Sequence, residues 1–95
     1  MRLRLRFYVD PVTEMPHIWN HAVSEVEAED VLDDPIEDYP GRKGARIALG
    51  QTAGGRYLCV VYVRSEDRQS ALVITAYAPS RKVIRALRRR RRRNG

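Results

Sequence analysis

Three strand-like runs joined by short connections are the feature that most constrains how this chain can fold. Residues 45–52, 56–65 and 70–78 are rich in valine, isoleucine and tyrosine, which β-strands favour. The tripeptide AGG joins the first two runs, and the polar tetrapeptide EDRQ joins the second pair. Connections this short join antiparallel neighbours, so these runs predict a three-stranded meander. The middle run is apolar on both faces, which predicts a central strand.

Two helices and a further strand are predicted before the meander. Residues 2–9 alternate between apolar and mostly basic side chains, and a period of two predicts a half-buried strand. Ser24 and Glu27 have the spacing of a capping box, so a helix is predicted to begin at Ser24 and to end before Pro35. Helical spacing also predicts a shorter helix over residues 14–22.

Pro16 and Trp19 indicate where this shorter helix begins and which of its sides is buried. Pro16 is compatible with its first turn but not with its interior. Trp19 lies at helical spacing from other apolar residues, which indicates a core position. Residues 36–44, which follow the second helix, are predicted to form a loop.

A final helix is predicted after the meander. Ser80 is its expected N-cap, and the apolar stripe ends at Leu87. Six consecutive arginines follow, and like charges four residues apart repel each other. We therefore expect a short C-terminal helix, a single domain over residues 1–87 and a disordered arginine-rich tail over residues 88–95. The predicted class is α+β, with an antiparallel sheet of about four strands, two N-terminal helices and this short helix.

The charges of the chain are strongly segregated. The net charge is +6, yet residues 10–38 contain ten acidic and no basic side chains. Residues 81–95 contain nine basic side chains and no acidic one. A surplus of positive charge of this kind favours polyanionic partners such as RNA. With one cysteine and two histidines the chain predicts no metal site and no cofactor. No membrane segment or signal peptide is visible, so a cytoplasmic location is expected.

Three stretches of the sequence resemble a known family. FYVDP followed by HAVS, VLDDP followed by ARIALGQTAGGRYLCVVYV, and VITAYAP occur in an order and spacing similar to those of BrnT-like toxins of bacterial toxin–antitoxin pairs, and of their RelE-fold relatives. The last stretch also resembles a related family of small VITAY-containing domains of unknown function. The residues in matching register in the first stretch are Phe7, Asp10, Pro11, His21, Val23, Ser24, Glu27 and Ala28.

The resemblance implies a RelE-like fold and a ribonuclease that needs no metal and is neutralised by a small antitoxin protein. The sequence departs from the family pattern at three positions. Ala22 stands where glycine is usual, Tyr77 replaces a basic residue of the family's last strand, and Pro16 interrupts the first helix. The departure at Tyr77 bears on activity more than on fold.

RNA cleavage through the 2′-hydroxyl needs a base, an acid and a cation that stabilises the charged phosphorane. His17 and His21 are the candidate acid–base groups, and Tyr62 and Tyr77 are candidate donors or stacking surfaces. We select His21, Arg46 and Tyr77 as the candidate catalytic residues. The candidate RNA-binding residues are Arg56, Arg64, Arg81, Lys82, Arg85, Arg88 and Arg89.

Three functions remain open at this point. The first is a metal-independent endoribonuclease toxin, whose partners would be RNA and a cognate antitoxin protein. The second is an RNA-binding module without catalysis, held to RNA by its basic side chains. The third is a degenerate toxin-fold protein that keeps only a protein-interaction surface, as a homodimer or in a toxin–antitoxin complex.

Overall fold

The computed structural model describes residues 4–94, and these form five strands, one short 3-10 helix and two α-helices. Among the described residues, no helix combines the length and the apolar composition that crossing a membrane requires. The elements in chain order are β1 (Arg4–Phe7), the 3-10 helix (His17–His21), α1 (Glu25–Asp33), β2 (Glu37–Pro40), β3 (Arg46–Gln51), β4 (Tyr57–Arg64), β5 (Ser70–Tyr77) and α2 (Arg81–Asn94).

The five strands form one mixed sheet in the order β1-β5-β4-β3-β2. The pairs β2–β3, β3–β4 and β4–β5 are antiparallel, which confirms the meander and the central position of β4. Strand β1 instead runs parallel to β5. The α+β class therefore stands, but the predicted four-stranded antiparallel sheet of RelE type is wrong. A parallel pair needs a long crossover, which the 3-10 helix, α1 and the meander provide here.

Strand β2 was missed because it lacks the pattern that identifies strands. Its sequence, EDYP, is polar, contains proline and lies within the predicted loop 36–44. Proline and charged residues are typical of edge strands, where they discourage pairing with other chains. This segment pairs with β3 and forms one of the two edge strands of the sheet. The expected loop is thus a strand held in place by its neighbour and not by its own propensity.

The first of the two predicted N-terminal helices is also wrong. Residues 17–21 form a single 3-10 helix that begins after Pro16, whose extended backbone, with ψ at 130°, precludes an earlier start. Ala22 ends it with a left-handed backbone, at φ 55°. Trp19 is 49% exposed and is not the core residue that its spacing indicated. A 3-10 helix turns every three residues, so helical periodicity assigned the wrong face.

Helix α1 begins as the sequence predicted. The Ser24 hydroxyl accepts a hydrogen bond from the Glu27 amide at 3.1 Å, and the Glu27 carboxylate accepts one from the Ser24 amide at 3.0 Å. This is a complete capping box. Ala28 and Val31 are fully buried against the sheet. The helix is thereby fixed at its start by polar contacts and along its length by apolar ones.

The sheet has a core on each face. On one face, which we call the α1 face, Leu58, Val60 and Tyr62 pack with residues of the 3-10 helix and α1. On the other, the α2 face, Leu49 and Cys59 pack with Leu87 of α2. Side chains alternate between the faces along each strand, so strand position decides which helix a residue meets.

The C-terminal helix is much longer than predicted. Helix α2 has 14 residues and continues through the arginine run to Asn94. Ser80 caps it, since its hydroxyl accepts a hydrogen bond from the Val83 amide at 3.2 Å. Arg90 donates two hydrogen bonds to Glu37 of β2, at 2.7 and 2.8 Å, and Arg88 lies 5.7 Å from the centre of the Tyr57 ring. These contacts partly offset the repulsion between neighbouring arginines that predicted an early end.

The capping box gives a first prediction. Replacing Ser24 with alanine should lower the free energy of unfolding by about 1 kcal/mol, because the Glu27 amide loses its acceptor. Chemical denaturation in urea measures this. Ser24→Asp serves as the control and should remain within about 0.5 kcal/mol of wild type, since aspartate is an equally good cap. An equal loss in both variants would contradict the assignment.

A second prediction concerns acid stability. The pKa of Glu27 lies below its ordinary value of 4.5, chiefly because the Ser24 amide donates to its carboxylate and also because Arg56 is close. A lowered pKa stabilises the fold above that ordinary value, and the stabilisation is lost as pH falls through the folded-state pKa. Stability measured from pH 6 down to about pH 3 should therefore fall less steeply in Glu27→Gln than in wild type. Parallel curves would show that Glu27 does not contribute.

Candidate nucleic-acid interface

A basic cavity of about 580 Å³ opens near the turn that joins β4 to β5. Each of three neighbouring strands and the turn supplies part of its lining, so it depends on the tertiary fold. Among the described lining side chains, three are arginines and two are carboxylates, which makes the cavity suited to an anionic ligand with polar groups. The lining residues are Asp38, Arg46, Tyr62, Arg64, Ser65, Glu66 and Arg68.

Strand register explains why these side chains converge. Arg46 of β3 and Tyr62 of β4 are directly paired. Asp38 of β2 pairs with Ala48, which shares a face with Arg46 because the two are separated by one residue. Arg64 follows Tyr62 at the same spacing. All four side chains therefore project from the α1 face of the sheet.

Asp38 organises the cavity. Its carboxylate accepts a hydrogen bond from Arg46 Nε at 2.7 Å and another from the Tyr62 hydroxyl, and its carbonyl accepts a third from Arg46 Nη2 at 3.2 Å. These bonds to Asp38 raise the pKa of the Arg46 guanidinium. Burial, followed by the bond to Asp38, raises the pKa of Tyr62 above its ordinary value. Tyr62 therefore keeps its proton at neutral pH, and Arg46 is held in one orientation.

The candidate catalytic residues do not share this site. Tyr77 pairs with Cys59 and so projects from the α2 face, opposite to Arg46. Burial raises the pKa of both Tyr77 and Cys59, and their side chains interact. His21 ends the 3-10 helix, where its ring centre lies 5.6 Å from that of His17. Of the three, only Arg46 lines the cavity.

The two histidines form a small polar group of their own. His17 Nδ1 lies 3.4 Å from Asp10 Oδ2, and its ring also meets the edge of Tyr8, with 6.3 Å between ring centres. Among residues 4–94, no group of three or more His, Cys, Asp or Glu side chains is arranged to hold a metal ion.

Arg56 has a structural role. Its Nη1 donates to the Ala22 carbonyl at 2.8 Å and to both carboxylate oxygens of Glu27 at 3.3 Å. It thereby links the start of β4 to the left-handed end of the 3-10 helix and to the capping box of α1. This arrangement leaves it less available to a phosphate than its position after a turn suggested.

Helix α2 presents a second basic surface. A groove of about 290 Å³ on it is lined, among the described side chains, by Lys82, Arg85, Arg88 and Arg89, all of them candidate RNA-binding residues. Together with Arg81 these side chains are exposed. The helix packs on the α2 face, so this surface and the Arg46 cavity lie on opposite sides of the sheet.

Four lining residues were not selected from the sequence: Asp38, Ser65, Glu66 and Arg68. Asp38 is not predicted as a site residue because it lies in β2, which the sequence predicts to be a loop. The sequence RSEDRQS is typical of a polar hairpin connection, and it contains two arginines, Arg64 and Arg68, four positions apart. That spacing is a weak signal, since charged turns are usually solvated, and only the fold shows that both arginines line the cavity.

Comparison with protein-family models, with curated proteins and with solved structures finds no match to this chain. The resemblance to BrnT-like toxins therefore stays a prediction.

The organising role of Asp38 gives a third prediction. A double-mutant cycle between Asp38→Asn and Tyr62→Phe should yield a coupling free energy of about 1–2 kcal/mol, because the hydrogen bond involves a charged acceptor and a buried donor. Urea denaturation of the four proteins measures it. Lys82→Gln paired with Tyr62→Phe is the control cycle and should be additive within about 0.5 kcal/mol, because Lys82 lies on α2 at the other face of the sheet. Additivity in both cycles would contradict the prediction.

Proposed function

We propose that the protein is an endoribonuclease that cleaves RNA without a metal ion, with its reaction centre in the Arg46 cavity. The observation that carries this proposal is the composition of that cavity. It combines arginines, carboxylates and a tyrosine hydroxyl at one place on the surface, and these are the groups that cleavage through the 2′-hydroxyl requires.

The cavity suggests a role for each group. Arg46 and Arg64 stabilise the negative charge that develops on the phosphorus oxygens, as fixed cations do in phosphoryl-transfer sites. Asp38 holds Arg46 in place through the bonds described above. Asp38 already accepts hydrogen bonds from Arg46 and Tyr62, so we assign acceptance of the 2′-hydroxyl proton to Glu66, the other described carboxylate of the lining.

The reaction then proceeds in one displacement. The 2′-oxygen, having lost its proton to Glu66, attacks the phosphorus atom, and the bond from phosphorus to the 5′-oxygen breaks. Water supplies the proton to the departing oxygen. The products are a 2′,3′-cyclic phosphate on one fragment and a free 5′-hydroxyl on the other, and no metal is involved in any step.

Helix α2 adds affinity that is independent of sequence. Arginine and lysine contacts to phosphates release counterions from RNA, and they carry no base preference. The helix can therefore gather RNA of any sequence, while the cavity acts on the part of the strand that reaches it. Substrate RNA of this kind would place the protein in the cytoplasm, and the resemblance to BrnT-like toxins adds a cognate antitoxin as its partner.

A second candidate is an RNA-binding module without catalysis. It is favoured by the positions of His21 and Tyr77, since neither joins Arg46 in the cavity. Under this alternative, α2 and the cavity bind RNA and leave it intact. Cleavage in the presence of a chelator separates the two functions.

The cleavage assay gives the fourth prediction. Purified protein should cut single-stranded RNA in EDTA, and Arg46→Ala and Glu66→Gln should each reduce the rate by at least about 100-fold. His21→Ala and Tyr77→Phe are the matched controls and should stay within a few-fold of wild type, because both lie outside the cavity. Binding without cleavage by the wild type would support the second candidate. Loss of activity in the two controls, with Arg46→Ala active, would place the reaction elsewhere.

The role of α2 gives the fifth prediction. Replacing Lys82, Arg85, Arg88 and Arg89 with glutamine should reduce the slope of log affinity against log salt by up to about 3, since each phosphate contact to a single strand contributes roughly 0.7. Binding measured between low and moderate salt gives this slope. The cut sites should not change. Altered cut sites would show that α2 selects sequence.

A further inference from the structure

The turn between β4 and β5 contains an arginine in a backbone conformation that normally belongs to glycine. Arg68 has φ at 62°, in the left-handed region. Side chains with a Cβ atom adopt this region at a cost, and glycine is the usual residue at such turn positions. Residues held in strained conformations cluster at binding sites, where another requirement outweighs the strain.

The strained turn is held by its own hydrogen bonds. The Arg68 amide donates to the Ser65 carbonyl at 2.9 Å, and the Ser70 amide donates to the Ser65 hydroxyl at 3.1 Å. Asp67 accepts from the Ser65 hydroxyl at 2.5 Å and from the Gln69 amide at 3.0 Å, and these two bonds lower the pKa of its carboxyl. The turn is therefore organised before any ligand binds, which reduces the entropy lost on binding.

Arg64 and Arg68 differ from Arg46 because Asp38 holds neither of their guanidinium groups. Arg46 already donates two hydrogen bonds to Asp38. Within residues 4–94, neither Arg64 nor Arg68 forms a hydrogen bond or ion pair with another described side chain, although both line the cavity. Among the described lining residues, three arginines and two carboxylates give a formal charge of +1, which matches the single negative charge of a phosphodiester.

We propose that Arg68 binds one phosphodiester group of the RNA chain together with Arg64, and that the strained turn exists to present its guanidinium there. The proposal rests on the proposed function, because RNA is its ligand, but it concerns binding and not the cleavage step. It adds a binding residue that the strand pattern did not reveal. It also predicts that stability and binding respond in opposite directions at this position.

Lys43 provides a matched control elsewhere in the chain. It also has a left-handed backbone, with φ at 53°, and it lies in the turn between β2 and β3, outside the cavity lining. Glycine at either position relieves the same kind of strain and removes one positive charge. Only the substitution at Arg68 should remove a contact to RNA.

The experiment measures affinity and melting temperature for Arg68→Gly, Arg68→Ala, Arg68→Lys and Lys43→Gly. The probe is a fluorescent single-stranded oligoribonucleotide with 2′-O-methyl groups, which cannot be cleaved, at one fixed salt concentration. Arg68→Gly should melt a few degrees higher than wild type and bind about tenfold more weakly. Arg68→Ala should bind as weakly without the stability gain, and Arg68→Lys should bind between these and wild type. Lys43→Gly should gain stability and bind within about twofold of wild type.

The outcomes separate this proposal from the proposed function. If wild type cleaves RNA but Arg68→Gly and Lys43→Gly bind equally well, the role of Arg68 is overturned and the ribonuclease proposal stands. If wild type binds without cleaving and only the Arg68 variants weaken, the contact is supported and the cleavage proposal fails. If wild type does not bind the oligoribonucleotide, both proposals are overturned.

Discussion

The bonds that Asp38 makes across the edge of the sheet are the interaction on which the cavity depends. One carboxylate, contributed by a strand of only four residues, fixes the guanidinium of Arg46 and the hydroxyl of Tyr62. On the opposite side of the same strand, Glu37 holds Arg90 of α2. The two acidic side chains of strand β2 therefore each hold an arginine, Asp38 on the α1 face and Glu37 on the α2 face.

The Arg46 cavity and the surface of α2 are both basic, and they suit different kinds of contact with RNA. Helix α2 offers many exposed cations along one surface, which suits general attraction to a polyanion. The cavity offers few cations, of which Arg46 is held in place by Asp38, and this suits one phosphate in one orientation. The arginine-rich end of the sequence is the more conspicuous of the two, but the cavity is where the structure combines the groups that chemistry needs.

Local signals in the sequence predicted those parts of the fold that local interactions determine. The capping box of Ser24 and Glu27 and the antiparallel meander followed from spacing and short connections. The parallel pairing of β1 and the existence of β2 did not, because each is fixed by a neighbouring strand far away in the chain. Arg46 was selected from its strand position and a resemblance, whereas its partner Asp38 became visible only with β2 in place. The sequence predicts both Tyr77 and Arg46 as catalytic residues. Their positions on opposite faces of the sheet follow only from the strand register.

Both the proposed cleavage and the proposed role of Arg68 require RNA to enter the Arg46 cavity. The most direct measurement is a titration of the protein with the uncleavable 2′-O-methyl oligoribonucleotide, followed by NMR of the arginine side-chain Nε–Hε groups. If RNA enters the cavity, the Arg64 and Arg68 signals should show saturable shifts. The Arg46 signal should shift less, because Arg46 stays bound to Asp38. Shifts confined to the arginines of α2, with the cavity signals unmoved at saturation, would contradict this expectation.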